Sequence, residues 1–162
     1  MKRKNSQYPV WALWIALVIL ALWLAGLLPP VLERLSLTGA AHSLRSAYRL
    51  LCHGIPERCI VLFGRPSAVC VRCTGIYLSI SAGCALVYPL LRRRMAWKSL
   101  IAAAVAATII MSIEWLLELT TVISPSPLLQ AATGSLWGIG LSLLLCSSID
   151  RIKSNSARSE NS

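Results

Sequence analysis

Four of the six cysteines lie within the twenty-two residues from Cys52 to Cys73, and one of the two histidines, His53, stands beside the first of them. The run Cys52-His53-Gly54-Ile55-Pro56-Glu57-Arg58-Cys59 leads through a Gly/Pro-containing turn into Cys70-Val71-Arg72-Cys73-Thr74-Gly75. A C-x-x-C pair at a helix start sets two sulfurs on one turn, where the helix dipole and the neighbouring Arg72 favour thiolate over thiol. Such a pair chelates a soft metal or cycles between dithiol and disulfide. For a metal, Cys52 and His53 complete the ligand set with Cys70 and Cys73, and Cys59 and Arg72 are auxiliary. Sulfur and imidazole together suit tetrahedral zinc. Adjacent side chains diverge, so Cys52 and His53 need a bent backbone to meet one ion, which Gly54-Ile55-Pro56 could provide. For redox chemistry, Cys70 and Cys73 are the dithiol, Cys52 or Cys59 the exchanging partner, and a quinone the electron acceptor. A third reading has no cofactor: in an oxidising compartment the same cysteines close inert disulfides.

The elements that must position these residues are membrane helices. With 56% hydrophobic and only 14% charged residues, and a mean hydropathy of +0.67, the chain is too apolar for an ordinary soluble domain. A span needs about 20 mostly apolar residues. Residues 10–28 supply one, longer than the core of a secretory signal and without a cleavage pattern, so it is read as retained. Residues 74–91, 99–123 and 128–149 supply three more, the last two separated by the turn 124–127, whose prolines cannot continue a helix. The expected fold is therefore an all-α polytopic bundle of about four transmembrane helices. Between the first two spans, residues 29–73 form an amphipathic helix over about 31–51 and the Cys/His knuckle. Leu37, Leu44, Tyr48 and Leu51 share one stripe of that helix, and Arg34, His42, Arg45 and Arg49 lie off it.

A net charge of +10 invites a nucleic-acid reading, which the placement of the charges excludes. Ten of the sixteen Lys and Arg sit in three short segments, 1–8, 92–98 and 149–162, and six in the longer 29–73. By the positive-inside rule both termini and the middle loop are cytoplasmic and 29–73 is external, in a plasma (inner) membrane. Trp11, Trp14, Tyr88 and Trp97 then form an aromatic belt at the inner boundary, and the tail 150–162 reads as polar and disordered. The expected partners are the lipid bilayer and a second copy of the chain or another membrane protein.

CHGIPER followed by PSAVCVRCTGIYLS resembles the prokaryotic membrane family called domain of unknown function (DUF) 2085. In that family a Cys-His-Gln-x-Pro-Glu-Arg stretch precedes Pro-Val-Cys-x-Arg-Cys-x-Gly-Ile-Tyr. This chain has Gly54 in place of the glutamine and Ala68 in place of the proline. The likeness continues over residues 45–145. It implies Glu114 as counterpart of an intramembrane Asp, and Thr133-Gly134 as a Thr-Gly pair that an Arg precedes in the family, with Gln130 near its place here. The external C-x-x-C opening the second of four helices also resembles, in architecture alone, quinone-linked disulfide-generating enzymes and vitamin K epoxide reductase.

Inside the membrane, Glu114 and Glu118 lie one turn apart in the outer half of the third span. Buried carboxyls in hydrocarbon mark paired or functional sites, so Glu114 is a candidate ligand, proton acceptor or partner of Arg72. Gly75, Ser79 and Gly83 on the second span, and Gly134 and Gly138 on the fourth, are small-residue stripes that permit close helix approach. Cys84 and Cys146 read as buried small hydrophobes. A transporter reading finds little support, because the spans show no internal repeat. The topology makes one prediction: after reduction and chelation, an impermeant maleimide applied to the non-cytoplasmic side modifies Cys52 and Cys73. Modification from the cytoplasmic side alone would reverse the orientation.

Overall fold

Helices follow the apolar runs along this chain. The computed structural model describes residues 9–52, 54–91, 96–120 and 126–159. Lys2, Arg3, Lys4, His53, Arg92 to Arg94, the expected end of the third span with the first half of the turn after it, and residues 160–162 lie outside the described residues. The elements are α1 (Val10–Leu27), α2 (Pro29–Arg34), α3 (Thr38–Tyr48), β1 (Cys59–Leu62), β2 (Arg65–Cys70), α4 (Val71–Ala82), α5 (Tyr88–Leu91), α6 (Trp97–Leu119) and α7 (Pro127–Ser159). A π-helical turn, Gly83–Val87, joins α4 to α5 without a break. Four helices are long and apolar enough to cross a bilayer, spanning Val10–Arg34, Val71–Leu91, Trp97–Leu119 and Pro127–Ser156. The protein is an all-α polytopic membrane protein carrying one small sheet.

Its burial pattern is that of a molecule dissolved in lipid. Among the described residues of α1, the buried ones are Ala12, Ala16 and Gly26, while Leu13, Leu17 and Val18 face outward. On α6, Leu100, Ala107, Glu114 and Glu118 turn inward, and Ile101, Val105, Ile109 and Ile113 turn out. Lipid chains are as apolar as leucine, so large side chains gain nothing by hiding and small residues occupy the contacts. The resulting order is α1 against α4, α4 against α7 and α7 against α6.

The α4–α7 seam is the closest of these contacts. A Cβ on Gly75 would stand 2.6 Å from the Ala131 carbonyl oxygen, one on Gly134 2.5 Å from that of Arg72, and one on Gly138 2.8 Å from that of Ile76. Both small-residue stripes therefore meet each other across one interface. Further along, the absent Cβ of Gly83 leaves room for Ser142. The π turn ends just before Pro89, whose ring and missing N–H disturb regular helical bonding, and widening the turn upstream accommodates it.

Four features depart from the sequence expectations. The helical span carries on past Pro29-Pro30 to Arg34, because the first positions of α2 need no N–H donors. The expected single helix over 31–51 is two, α2 and α3, separated by a turn in which Ser36 takes φ 62°. Its inward face is Ala41, Leu44 and Tyr48, whereas Leu37 and Leu51 are exposed. The Gly/Pro turn is a β-hairpin in which Cys59 pairs with Cys70 and Leu62 with Arg65. Phe63 and Gly64, both at positive φ, make the two-residue connection that matches strand twist. Finally, α7 continues to Ser159, through residues read as a disordered tail. There, Arg151 lies over the Trp97 ring and Lys153 over Trp11, at 4.4 and 5.2 Å.

Glu33 braces the cap. It accepts hydrogen bonds from Arg45 of α3 at 2.9 Å and from Arg65 of β2 at 2.8 Å. Tyr48 donates to the Leu22 carbonyl and packs, with Val69, where a side chain on Gly26 would otherwise stand.

The seam predicts that Gly138→Ala destabilises the detergent-solubilised protein by about 1–3 kcal/mol, read as a lowered melting temperature. Gly39→Ala, in α3 with nothing within 4 Å of the new Cβ, should be neutral or stabilising. An unchanged melting temperature for Gly138→Ala would mean that α4 and α7 do not touch as described.

Candidate metal centre and the adjoining ion pairs

Two chain segments deliver the three sulfurs. Cys52 follows α3, its N–H bonded to the Tyr48 carbonyl at 2.8 Å. Cys70 ends β2 and is the N-cap of α4, and Cys73 sits in the first turn of that helix. Their Sγ atoms all lie within 4.8 Å of one another. Backbone donors converge on the sulfurs: the Cys70 N–H points to Cys52 Sγ at 3.3 Å and the Cys73 N–H to Cys70 Sγ at 3.4 Å. Such donors stabilise negative charge on sulfur, as does an N-cap position. The Cys52 thiol is held far below its ordinary value, chiefly by hydrogen bonds from the Cys70 and Cys73 thiols and also by the N–H groups of Gly54 and Cys70. Cys70 is displaced upward, first because it donates to Cys52. The three sulfurs thus act as one hydrogen-bonded group in which a negative charge is shared.

Cys59 is the cross-strand neighbour of Cys70 and is buried, but it is not in the group of three. Burial, with the charges of Cys52 and Cys70, pushes its thiol up to about 11. His53 lies outside the described residues, so the expected ligand set is brought together in its three sulfurs.

Arg72 occupies the position between the paired cysteines and reaches the other way. Its Nη2 donates to both carboxylate oxygens of Glu114 at 2.7 Å and to Glu118 at 2.9 Å. These side chains are 11%, 6% and 2% exposed, so the charges are almost wholly withdrawn from solvent. Arg58 Nη1 lies 3.3 Å from Glu118, which gives two guanidinium groups for two carboxyls. Gln130 Nε2 donates to Glu118 at 2.8 Å and Thr133 Oγ1 to Glu114 at 3.3 Å. Removing one partner from such a set leaves an uncompensated charge and typically costs about 3–5 kcal/mol.

Of the three roles open to Glu114, the geometry assigns it that of Arg72's partner. Sequence reasoning missed Arg58, Gln130 and Thr133 as members of this set. Gln130 and Thr133, two polar side chains three residues apart and so on one helical face of an otherwise apolar span, were the available signal for two of them. It also missed that Cys84 and Cys146, on separate spans, stand with their sulfurs 3.4 Å apart.

Comparison with known proteins places this geometry in a family. The family described as a predicted membrane protein (DUF2085) matches residues 52–144, from the first cysteine of the cluster well into α7. An uncharacterised protein of Methanocaldococcus jannaschii is 40% identical over 50 residues, a stretch covering 31% of this chain and 31% of that protein. No solved structure matches. The matched region holds the three clustered cysteines, Arg72, Glu114, Glu118, Gln130 and Thr133, and it is more than half of the chain. This protein belongs to the DUF2085 family of membrane proteins.

Proposed function

We propose that this protein is a zinc-binding multi-pass protein of the inner membrane, with both termini cytoplasmic and the metal held at the outer face by Cys52, Cys70 and Cys73. The convergence of Cys52, from the end of the segment after α3, on the Cys70–Cys73 pair at the start of α4 carries the reading. Zinc–sulfur bonds of about 2.3 Å at a tetrahedral angle set ligand sulfurs about 3.8 Å apart, against separations of up to 4.8 Å here, so side-chain adjustments of about 1 Å would close the cluster on the ion. His53 is the proposed fourth ligand. Gly54, at φ 59°, supplies a bend directly after it.

Bound there, the metal would tie the end of α3, the hairpin and the start of α4 into one unit. A cap this small has little core of its own: its buried apolar cluster is Tyr48, Ala68 and Val69. Metal binding free energy in small sites is folding free energy, so the role is structural in the first instance.

The closeness of the same three sulfurs favours one second reading, thiol–disulfide exchange, with Cys52 attacking a disulfide of Cys70 and Cys73.

Elemental analysis of the detergent-purified protein should find about one zinc per chain. Cys52→Ser, Cys70→Ser and Cys73→Ser should each lose most of it, and Cys59→Ser should retain it. Chelator should lower the melting temperature of the wild type and leave that of Cys73→Ser unchanged. Zinc below about a tenth of stoichiometry, with melting insensitive to chelator, would reject the metal. Interconversion of Cys70 and Cys73 between thiol and disulfide in a glutathione buffer would then establish the second reading.

A further inference from the structure

α7 is 33 residues long, more than the roughly 20 that a bilayer needs, and its last turns are polar. Ser147, Asp150, Arg151 and Ser154 recur there at the i, i+3, i+4 and i+7 spacing of one helical face. At the end of the bundle away from the cap, that face borders an open cavity of about 310 Å³, which Tyr88, Trp97 and Leu100 complete. Trp11 and Trp97 mark this level as the headgroup region of the bilayer, where such rings concentrate.

Charge decides what this cavity can hold. Arg45, Arg58, Arg65 and Arg72 each have a carboxylate within ion-pair distance, whereas among the described residues Arg151 and Lys153 have none and rest on Trp97 and Trp11 instead. A guanidinium lying on a ring still presents its in-plane N–H groups at the edge, in the fork that matches phosphate oxygens. The acid in the lining, Asp150, already accepts the Tyr88 hydroxyl. Lys98 follows Trp97 in α6, and the sequence joining α5 to α6 adds Arg92, Arg93 and Arg94. The balance at this end is positive, so the cavity suits an anion. Its surroundings suit an acyl chain, since Leu90 and Ile152, close in sequence to Tyr88 and Arg151, are 76% and 66% exposed. Basic pockets between membrane helices, at headgroup level, bind acidic phospholipids.

We propose that this cavity binds one anionic glycerophospholipid, its phosphate held by Arg151 and the Ser147 hydroxyl, with Lys153 adding long-range attraction and the acyl chains lying along the apolar flank of α5 and α7. A free phosphate ester would use the same donors, and the exposed Leu90 and Ile152 favour the lipid over it. A glycerol headgroup brings hydroxyl donors for the Asp150 carboxylate, which a choline headgroup lacks, so phosphatidylglycerol is the expected form. The site shares no residue with the sulfur cluster, and its test is independent of zinc.

The test titrates the full-length, delipidated protein in detergent with short-chain phosphatidylglycerol, short-chain phosphatidylcholine or glycerol 1-phosphate, and follows the melting temperature. Phosphatidylglycerol should raise it saturably, phosphatidylcholine should bind at least about fivefold more weakly, and glycerol 1-phosphate should give no shift. Native mass spectrometry should find about one phosphatidylglycerol retained per chain. Arg151→Gln should weaken binding about fivefold, and Arg151→Gln with Lys153→Gln about thirtyfold. Arg49→Gln, an exposed cation on the cap, should leave it unchanged. Equal responses to the two lipids, which need only the wild type, would overturn the site, and so would a folded double variant that binds as the wild type does. A shift from glycerol 1-phosphate equal to that from phosphatidylglycerol would overturn the lipid as ligand and assign the cavity to a soluble phosphate ester.

Discussion

Arg72 cannot be moved without disturbing everything near it. Its guanidinium lies in a setting where an unpaired charge is prohibitive, and it is met by two carboxyls from α6, one of which Arg58 also contacts. Because Arg72 belongs to the first turn of α4, this compensation fixes that turn against α6. Its neighbours Cys70 and Cys73 are fixed with it. The cluster at the cap is therefore set by an interaction that involves no sulfur and that faces into the bundle. Gln130 and Thr133 bring α7 into the same arrangement, so three of the four membrane helices are registered at one level.

Elsewhere the register is kept by the absence of side chains. In lipid there is no hydrophobic gain from pushing helices together, and association rests on close packing and a few polar contacts. The α4–α7 seam follows that logic, with Gly75, Gly83, Gly134 and Gly138 each leaving space that a neighbour fills. Trp23 adds one hydrogen bond from α1 to Thr74 on α4, 3.3 Å long, close to the cap. Polar contacts fix the level of the helices, and glycine fixes their separation. Neither would suffice alone.

Much of this was legible in the sequence. A twenty-residue apolar run has few alternatives to a membrane helix, so all four spans could be read, although their ends could not. The cysteine cluster was legible because its chemistry and spacing are unusual for a chain of this composition. What could not be read depends on contacts between distant segments. The strands of the hairpin are four and six residues long, and Arg65-Pro66-Ser67 is not a strong strand signal. The break at Ser36 depends on the cap folding back so that Arg45 meets Glu33. Arg58, Gln130 and Glu118 are scattered over more than seventy positions and meet only after three helices have packed. The helix beyond Ile149 was hidden by its polarity, since its support comes from the Trp11 and Trp97 rings and not from an apolar face.

The wide turn at Gly83–Val87 carries one residue more than a regular helix would need over the same rise. One extra residue advances the azimuth of all that follows by about 100°. The second span is in effect two half-helices with different facings, spliced in the middle of the membrane. Its first half presents Arg72 and Gly75 to the partners that hold the cap, and its second half presents Tyr88 to Asp150. A straight helix could satisfy one set of neighbours or the other. The splice lets each leaflet of the bilayer impose its own packing on a single continuous rod, so that changes accumulating at one face need not propagate to the other.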